Sequence, residues 1–418
     1  MYLSTIDQPH AGKPLRGRAM LLVSGNVFAL GTVSLITDIS SEMVTAVLPV
    51  YLVLGLHLSP ALYGVIDGTY TGATALLRLV GGYIADRASR RKFIAGLGYG
   101  LSAVAKLGLL AAGNAVGALG AVIAIDRTGK GLRTAPRDAL ITLSTPPQLY
   151  GRAFGVHRMM DTIGAFTGPL VALGILAATG QAYDAVFVAS FCIAAFGVLV
   201  LVLFVRDHRD EQPAKGTVAP SALRGLLRMA PVRRLVLAAG LAGMVTIGDG
   251  FVYLLLQRRE ELSIGWFPLL AVGTNLSYLL LATPLGVLAD KIGRLKVVLG
   301  GYTALLLVYL LLFEPFGGWP LLVVVLALYG VFYASTDGVL IALAGPVLPT
   351  ALRTTGIALI QTGQALAYLV SSVLFGLAWT VWGPASATRI AAALVAVAVL
   401  VVGLLLRGIP ATSAEQPA

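Results

Sequence analysis

The stretch GGYIADRASRRK, residues 81–92, returns in altered form as LGVLADKIGRLK, residues 285–296. The aspartates of the two stretches, Asp86 and Asp290, lie 204 residues apart. A second pair of residues upstream keeps the same separation, Ser59 and Ser263. A separation that is kept at two points indicates an internal duplication. The chain of 418 residues is therefore predicted to fold as two similar halves.

The chain as a whole is strongly apolar. Hydrophobic residues make up 57% of it, charged residues 12%, and the mean hydropathy is +0.88. A membrane span needs about 20 mostly apolar residues. Twelve such runs are predicted, at 27–55, 60–84, 93–112, 115–142, 152–179, 184–205, 234–257, 265–289, 297–314, 319–346, 354–380 and 389–407. Because lipid cannot satisfy backbone groups and no strand-like alternation is present, the fold class is predicted to be all-α, with two pseudo-symmetric six-helix bundles.

The charged segments predict the domain organisation and the orientation. We expect an N-terminal segment, a first bundle, a linker, a second bundle and a tail, at 1–26, 27–205, 206–233, 234–407 and 408–418. Lys and Arg concentrate in the first segment, the linker and two short loops, and such residues favour the cytoplasmic side. We therefore expect a protein of the plasma or inner membrane with both termini in the cytoplasm. The net charge of +11 then indicates contact with lipid head groups and not nucleic-acid binding.

The duplicated stretch carries a family resemblance. It fits the pattern G-x-x-x-D-[RK]-x-[GS]-[RK]-[RK] and resembles motif A of the major facilitator superfamily. The resemblance covers essentially the whole chain and implies a secondary transporter with alternating access, usually a monomer. The matching residues, for which it implies a conformational latch, are Gly82, Asp86, Arg87, Arg90 and Arg91, and in the second copy Gly286, Asp290, Lys291 and Arg294.

Two further motifs lie in the first half. DRTGKGLRTAPRD, residues 126–138, resembles motif B of the superfamily, with Lys130 where the family usually has Gln. GAFTGPLVALG, residues 164–174, resembles motif C of its drug antiporters, although Ala and Leu replace the usual final Gly-Gly. The matching residues are Gly164, Gly168 and Pro169. Small residues at this spacing also serve ordinary helix packing, so both interpretations stay open.

The stretch SLITDISSEMVTAVLP, residues 34–49, places two carboxylates inside the first span. Asp38 lies roughly 17 Å into that span and Glu42 one turn further on the same face. An ionised side chain that faces lipid costs several kcal/mol, so both are expected to face the bundle interior. We predict that they couple transport to protons, with Asp126 and with Arg127 or Lys130 as the counter-charge. The alternative is a purely structural pairing with buried arginines.

Other polar residues inside the spans divide unevenly between the halves. The first half is rich in charge, whereas the second offers mainly Asp249 and Asp337 in mid-span. Substrate contacts are therefore predicted at Asp67, Lys130, Asp249, Asp337, Gln361 and Gln364. Surface ion pairs at cytoplasmic helix ends are expected for Arg133, Arg137 and Arg158. His157 and Asp161, one turn apart, suit an orienting hydrogen bond, with a proton relay as the alternative.

No motif of a soluble enzyme stands out. The sequence contains neither a phosphate-binding G-x-x-x-x-G-K-[ST] loop nor an H-E-x-x-H zinc motif, and its single Cys192 lies in an apolar span. We expect no enzymatic activity, metal or cofactor, and the proton gradient as energy source. The leading hypothesis is proton-coupled export of a small organic molecule. An exchanger or importer of an anionic metabolite, held by buried Arg and Lys, and a non-transporting membrane receptor are the alternatives.

Overall fold

The computed structural model describes residues 24–87, 91–113, 115–146, 149–207, 225–313, 317–337, 339–344, 347–349 and 352–407. Within residues 78–87, 340–342 and 353–354 only the backbone is described. The chain is helical in these ranges, and the described residues contain no β-strand.

Six long helices form the described part of the first half. They are α1 Gly25–Val50, α2 Pro60–Arg87, α3 Arg91–Ala112, α4 Val116–Leu143, α5 Tyr150–Ala178 and α6 Tyr183–Phe204. A turn of π-helix, Tyr51–Gly55, continues α1. When this turn is counted with α1, the bounds of the six helices lie within three residues of the first six predicted spans. Apolar runs therefore predict these helices well, because a backbone in lipid must satisfy its own hydrogen bonds.

The second half departs from the prediction in several places. Its helices are α7 Ala230–Met244, α8 Asp249–Arg259, α9 Phe267–Ile292, α10 Arg294–Leu311, α11 Trp319–Thr336, α12 Val339–Ala344 and α13 Arg353–Leu406. The spans predicted at 234–257 and 319–346 are each broken, the first at residues 245–248 and the second at Asp337. The last two predicted spans follow each other without a loop, and only Gly383, with φ of 81°, is non-helical between them.

The break between α7 and α8 is compensated by a tyrosine of α10. The hydroxyl of buried Tyr309 accepts the N–H of Ile247 at 3.0 Å and donates to the carbonyl of Val245 at 3.4 Å. Thr246 donates its hydroxyl back to the carbonyl of Ala242 at 2.8 Å. Backbone groups freed within lipid need partners inside the protein, so this break is tolerated although the apolar pattern runs through it. The run Ala230–Arg259 is long and apolar enough for the one span predicted here, but its helix is interrupted at residues 245–248.

Nine helical runs in the described residues are long and apolar enough to cross a membrane. Although α2 and α4 have 28 residues each, they are not among the nine, since polar and charged residues interrupt them. The run Thr355–Leu406 counts as one, although 52 residues exceed the need of a single crossing. The predicted all-α membrane fold is confirmed, and the count of twelve spans stays a prediction.

The chain divides into two compact units. Among the described residues, unit 1 comprises 48–75 and those between 225 and 407, and unit 2 comprises 24–47 and those between 76 and 207. In unit 2, α3 packs along α4 and α6. In unit 1, α13 packs on α7 and α10, and α11 packs on α9 and α10. The domain boundaries predicted from the sequence stay predictions.

Candidate functional site

A first polar cluster lies between α3 and α4 in unit 2. Asp126 accepts hydrogen bonds from Ser102 and Arg127, and its Oδ1 lies 3.5 Å from the ammonium of Lys106. Lys106 and Arg127 are buried. The predicted coupling residues Arg127 and Asp126 are therefore paired with each other.

Two glycines allow α3 and α4 to approach closely enough for this cluster. A Cβ at Gly98 would lie 2.6 Å from the carbonyl oxygen of Gly129, and a Cβ at Gly129 would lie 2.5 Å from that of Gly98. No other residue type fits such a crossing without moving the backbone. The close approach brings Ser102 and Lys106 of α3 within reach of Asp126.

Asp38 forms the second polar contact of unit 2. Its Oδ1 lies 3.6 Å from Nη2 of Arg133 on α4. The Arg133 side chain is only 4% exposed, and its guanidinium lies 4.5 Å from the ring centroid of Tyr99. The expectation that Arg133 belongs to a surface ion pair is wrong, because Tyr99 and the close packing of α3 on α4 bury it. The recurrence of Lys130, Arg133 and Arg137 on one face of α4 could have indicated an inward position.

Glu42 and Lys130 flank this ion pair. Glu42 is one turn beyond Asp38 on α1, and Lys130 lies nearly one turn before Arg133 on α4. Lys130 is close enough to interact electrostatically with Glu42 and Asp38. None of the ion pairs within the described part of unit 2 includes Lys130. The site thus joins two carboxylates of α1 with two bases of α4.

The residues that resemble motif C hold α5 against these carboxylates. A Cβ at Gly164 would lie 3.1 Å from Cβ of Asp38, and a Cβ at Gly168 would lie 2.8 Å from Cβ of Glu42. Pro169 is buried in α5 directly after Gly168. Close helix packing is therefore a sufficient reason for these glycines, and their role in export stays a prediction.

Asp67 in unit 1 is one of the residues predicted to contact the substrate. Asp67 on α2 accepts hydrogen bonds from Ser372 at 2.7 Å and from Tyr368 at 3.2 Å, both on α13. Glycines again permit the approach, since a Cβ at Gly68 would lie 2.7 Å from the carbonyl oxygen of Leu369. The two hydroxyl donors were not predicted from the sequence.

Asp249 lies near the middle of the run Ala230–Arg259, as predicted, and is the first residue of α8 after the break. It accepts hydrogen bonds from Tyr329, at 2.8 Å, and from Tyr333, which lie one turn apart on α11. The carboxylate of Asp67 fills the space beside the preceding Gly248. Within the described part of unit 1, no ion pair includes Asp67 or Asp249. The break in the helix thus brings two acids and a set of hydroxyls together.

The other predicted contacts lie elsewhere in unit 1. Asp337 is exposed just after the end of α11, where it accepts a hydrogen bond from Tyr278 at 3.0 Å, so in contrast to Asp249 it is not in mid-span. Gln361 and Gln364 are partly buried in α13, and Gln364 hydrogen-bonds Tyr302 of α10. A role in substrate binding stays a prediction for all three.

The first copy of the predicted latch lies only partly within the described residues. Gly82, Asp86 and Arg87 belong to the end of α2, where the backbone alone is described, and Arg90 lies outside the described residues. Arg91 is buried at the start of α3. The function of this copy as a latch stays a prediction.

The second copy of the latch is described in full. Asp290 and Arg294 form an ion pair at 3.5 Å across the turn at Gly293, and Lys291 is exposed. The two paired side chains are 71% and 33% exposed, so this pair contributes little to stability. A Cβ at Gly286 would meet no atom within 4 Å, so close packing within the described residues does not explain this glycine.

Comparison with known proteins gives consistent results. The sequence profile of the Major Facilitator Superfamily matches residues 30–274 and 258–418. An uncharacterized MFS-type transporter of Methanocaldococcus jannaschii is 30% identical over 369 residues, which cover 86% of this chain and 89% of the relative.

Solved transporters share the fold at low sequence identity. A mutant of the nucleoside transporter NupG has a TM-score of 0.78 at 15% identity, over 91% of this chain and 99% of that one. A bacterial homolog of the human lysosomal transporter Spinster, inward-facing and occupied, has a TM-score of 0.72 at 16% identity, over 98% and 100%. Similarity at this level of identity concerns the fold alone.

Proposed function

Because the chain belongs to the major facilitator superfamily and is a multi-pass membrane transporter, we propose that it exports a small organic molecule in exchange for protons. The observation that carries the proposal is the ion pair of Asp38 and Arg133, 3.6 Å apart between two long helices of unit 2. The proposal includes rocker-switch alternating access by a monomer in the plasma membrane, with cytoplasmic termini. The proton gradient supplies the energy, and no cofactor takes part.

Protonation of Asp38 removes one charge of this pair. Loss of one partner of a buried ion pair costs about 3–5 kcal/mol, because the other charge is left without compensation. The ring of Tyr99 offsets only part of that cost for Arg133, about 0.5–2 kcal/mol. A proton on Asp38 therefore favours a conformation in which Arg133 finds another partner. This difference in free energy is what links proton movement to a change of access.

In this scheme the substrate binds close to Glu42 and Lys130. Gly168 packs against Cβ of Glu42, which lies one turn from Asp38 on α1. A substrate that displaces the proton from Asp38 or Glu42 competes with protons for the same groups. Substrate and proton then occupy the carrier in alternation, as antiport requires.

The test begins with a panel of compounds on detergent-purified protein. Thermal unfolding is measured with tetraphenylphosphonium, ethidium, chloramphenicol, citrate and glycerol phosphate, at mildly acidic and at mildly alkaline pH. Competition with protons predicts a stabilisation by cationic or neutral compounds that weakens at acidic pH. A compound that passes this screen is then used in proteoliposomes with an imposed pH gradient.

The variants Asp38→Asn and Glu42→Gln identify the coupling group in these proteoliposomes. Gradient-driven transport is expected to be lost while exchange down a substrate gradient is partly kept. The matched control is Asp184→Asn, since Asp184 is an exposed carboxylate at the start of α6. Full transport against a gradient by both test variants shows that the coupling assignment is wrong.

Lys130 supports a second candidate, transport of an organic anion. Four neighbouring bases each have a carboxylate within ion-pair distance, Lys106, Arg127, Arg133 and Arg137. Lys130 belongs to none of the ion pairs within the described part of unit 2. Stabilisation by citrate or glycerol phosphate that is lost in Lys130→Gln and is independent of pH would favour this candidate. The paired state of the other four bases favours the proton-coupled exporter.

A further inference from the structure

Two side chains of α5 have buried polar atoms without a partner. Nδ1 of His157 lies 3.4 Å from Oδ2 of Asp161. Nε2 of His157 and Oδ1 of Asp161 are buried and have no hydrogen-bond partner among the described residues. Leaving such an atom unsatisfied costs about 1–3 kcal/mol. These two atoms therefore mark positions for water or for a proton donor or acceptor.

Asp161 connects this pair to the coupling site. It lies close enough to the hydroxyl of Ser34 to interact with it, and this hydroxyl accepts a hydrogen bond from Arg137 at 3.0 Å. Ser34 lies one turn before Asp38 on α1, and Gly164, nearly one turn after Asp161, packs against Asp38. Asp161 and Asp38 are also close enough for their charges to interact. Both carboxyl groups thus face the same contact between α1 and α5.

The distance from the start of the helix increases from His157 to Asp161 and from Asp161 to Asp38. At 1.5 Å per residue, His157 lies roughly 10 Å and Asp161 roughly 16 Å from the start of α5, and Asp38 roughly 20 Å from the start of α1. In the proposed topology both helices start on the cytoplasmic side. The three side chains then form steps from Asp38 to the inner end of unit 2.

We propose that Asp161 and His157 form the inner proton path of Asp38. This inference rests on the proposed proton coupling. The proton leaves the carboxyl of Asp38, passes by way of the Ser34 hydroxyl to the carboxylate of Asp161, and moves from there to Nδ1 of His157. The imidazolium then releases its Nε2 proton to water on the inner side. Asp38 and Asp161 end as carboxylates and His157 ends neutral, so that one proton has been moved and no charge is stranded.

Charges of both signs surround the imidazole of His157. The groups that face His157 are Arg137 and Asp138 from α4, Asp38 from α1, and Arg158 and Asp161 from α5. The guanidinium of Arg137 lies 3.0 Å from the carboxylate of Asp138, which offsets its repulsion. Oδ2 of Asp161 lies 3.4 Å from Nδ1 of the ring, so that a proton can pass directly between the two atoms.

Infrared spectroscopy of protein in lipid tests the path without a transported substrate. At acidic pH, the carboxyl band that Asp38→Asn removes is assigned to Asp38, and its shift is timed after a change from H2O to D2O. His157→Gln keeps a hydrogen-bonding side chain beside Asp161 but cannot relay a proton. Exchange is expected to slow about a hundredfold, the lower range for a positioned acid–base group. Asp161→Asn is expected to slow it equally.

The control and the rescue distinguish a relay from a structural role. His57→Gln changes an exposed histidine of a loop and should leave the exchange rate unchanged. Imidazole added to His157→Ala should restore exchange, which it would not do if His157 only supported packing. Unchanged exchange in both folded variants of the path overturns the inference while proton coupling stands. If Asp38→Asn removes no carboxyl band, the proposed coupling itself is overturned.

Discussion

The carboxylate of Asp67 occupies the space that a side chain at Gly248 would need. A Cβ on residue 248 would overlap the carboxylate, which Ser372 and Tyr368 hold in place. The backbone of Gly248, with φ of −62° and ψ of 143°, is one that any residue can adopt. Glycine is therefore required here by the presence of Asp67 and not by its own torsion angles.

Replacement of this glycine is expected to destabilise the protein. Gly248→Ala must displace Asp67 and disturb two hydrogen bonds, at a cost of about 1–3 kcal/mol in the free energy of unfolding. The matched control is Gly240→Ala in α7, where a Cβ would meet no atom within 4 Å. Thermal unfolding of the purified variants measures both. Equal stability of the two variants contradicts the contact.

The packing of α5 on α1 gives a second prediction. In Gly168→Ala the new Cβ would lie 2.7 Å from the carbonyl oxygen of Ile39, so the two backbones must separate. We expect a loss of about 1–3 kcal/mol, together with weaker proton coupling, because Glu42 moves.

Gly174 provides the control for this helix. Gly174→Ala changes the same helix at a position where a Cβ would meet no atom within 4 Å, so it should keep full stability. Unfolding and gradient-driven transport are compared for the two variants. A Gly168→Ala protein that matches Gly174→Ala in both assays would show that close packing at this point is not needed.

A double-mutant cycle measures the ion pair at the coupling site. Asp38→Asn, Arg133→Met and the double variant are expected to give an interaction energy of about 1.5–3 kcal/mol, as for hydrogen bonds to charged groups. The same cycle on Asp290 and Arg294, an exposed pair at a similar distance, should give less than about 1 kcal/mol. Equal interaction energies in the two cycles would falsify the view that Asp38 and Arg133 interact in a shielded site.

The hydroxyls around Asp249 give a fourth prediction. Tyr329→Phe removes a hydrogen bond of 2.8 Å to a partly buried acid and should cost about 1.5–3 kcal/mol in unfolding free energy. Tyr150→Phe, at the partly buried start of α5, is the comparison, since no hydrogen bond of its hydroxyl is described. If the two substitutions cost the same, Asp249 is held by other contacts.

Helices α1, α3, α5 and α6 could be predicted from the sequence because each is long and apolar enough to cross a membrane, whereas polar and charged residues interrupt α2 and α4. The break before Asp249 could not, since the apolar pattern continues through residues 245–248. The compensating hydroxyl belongs to Tyr309, about 60 residues away in the chain. Only the packing of α10 on this segment shows that a break is tolerated.

The candidate site was predictable in part for a similar reason. The acids of α1 stand out because charge is rare in an apolar run. Arg133, the partner of Asp38, does not stand out in the sequence. Its burial depends on the crossing of α3 and α4 at Gly98 and Gly129 and on the ring of Tyr99. Residue types in one helix carry no information on such a crossing.

Proton release upon ligand binding tests the central claim most directly. A compound that passes the thermal screen is added to purified protein in weakly buffered detergent solution, and the released protons are followed with a pH-sensitive dye. We predict release from the wild type and from Asp184→Asn, and none from Asp38→Asn at the same ligand occupancy. Equal release from Asp38→Asn and the wild type would contradict the assignment of the coupling site to Asp38 and Arg133.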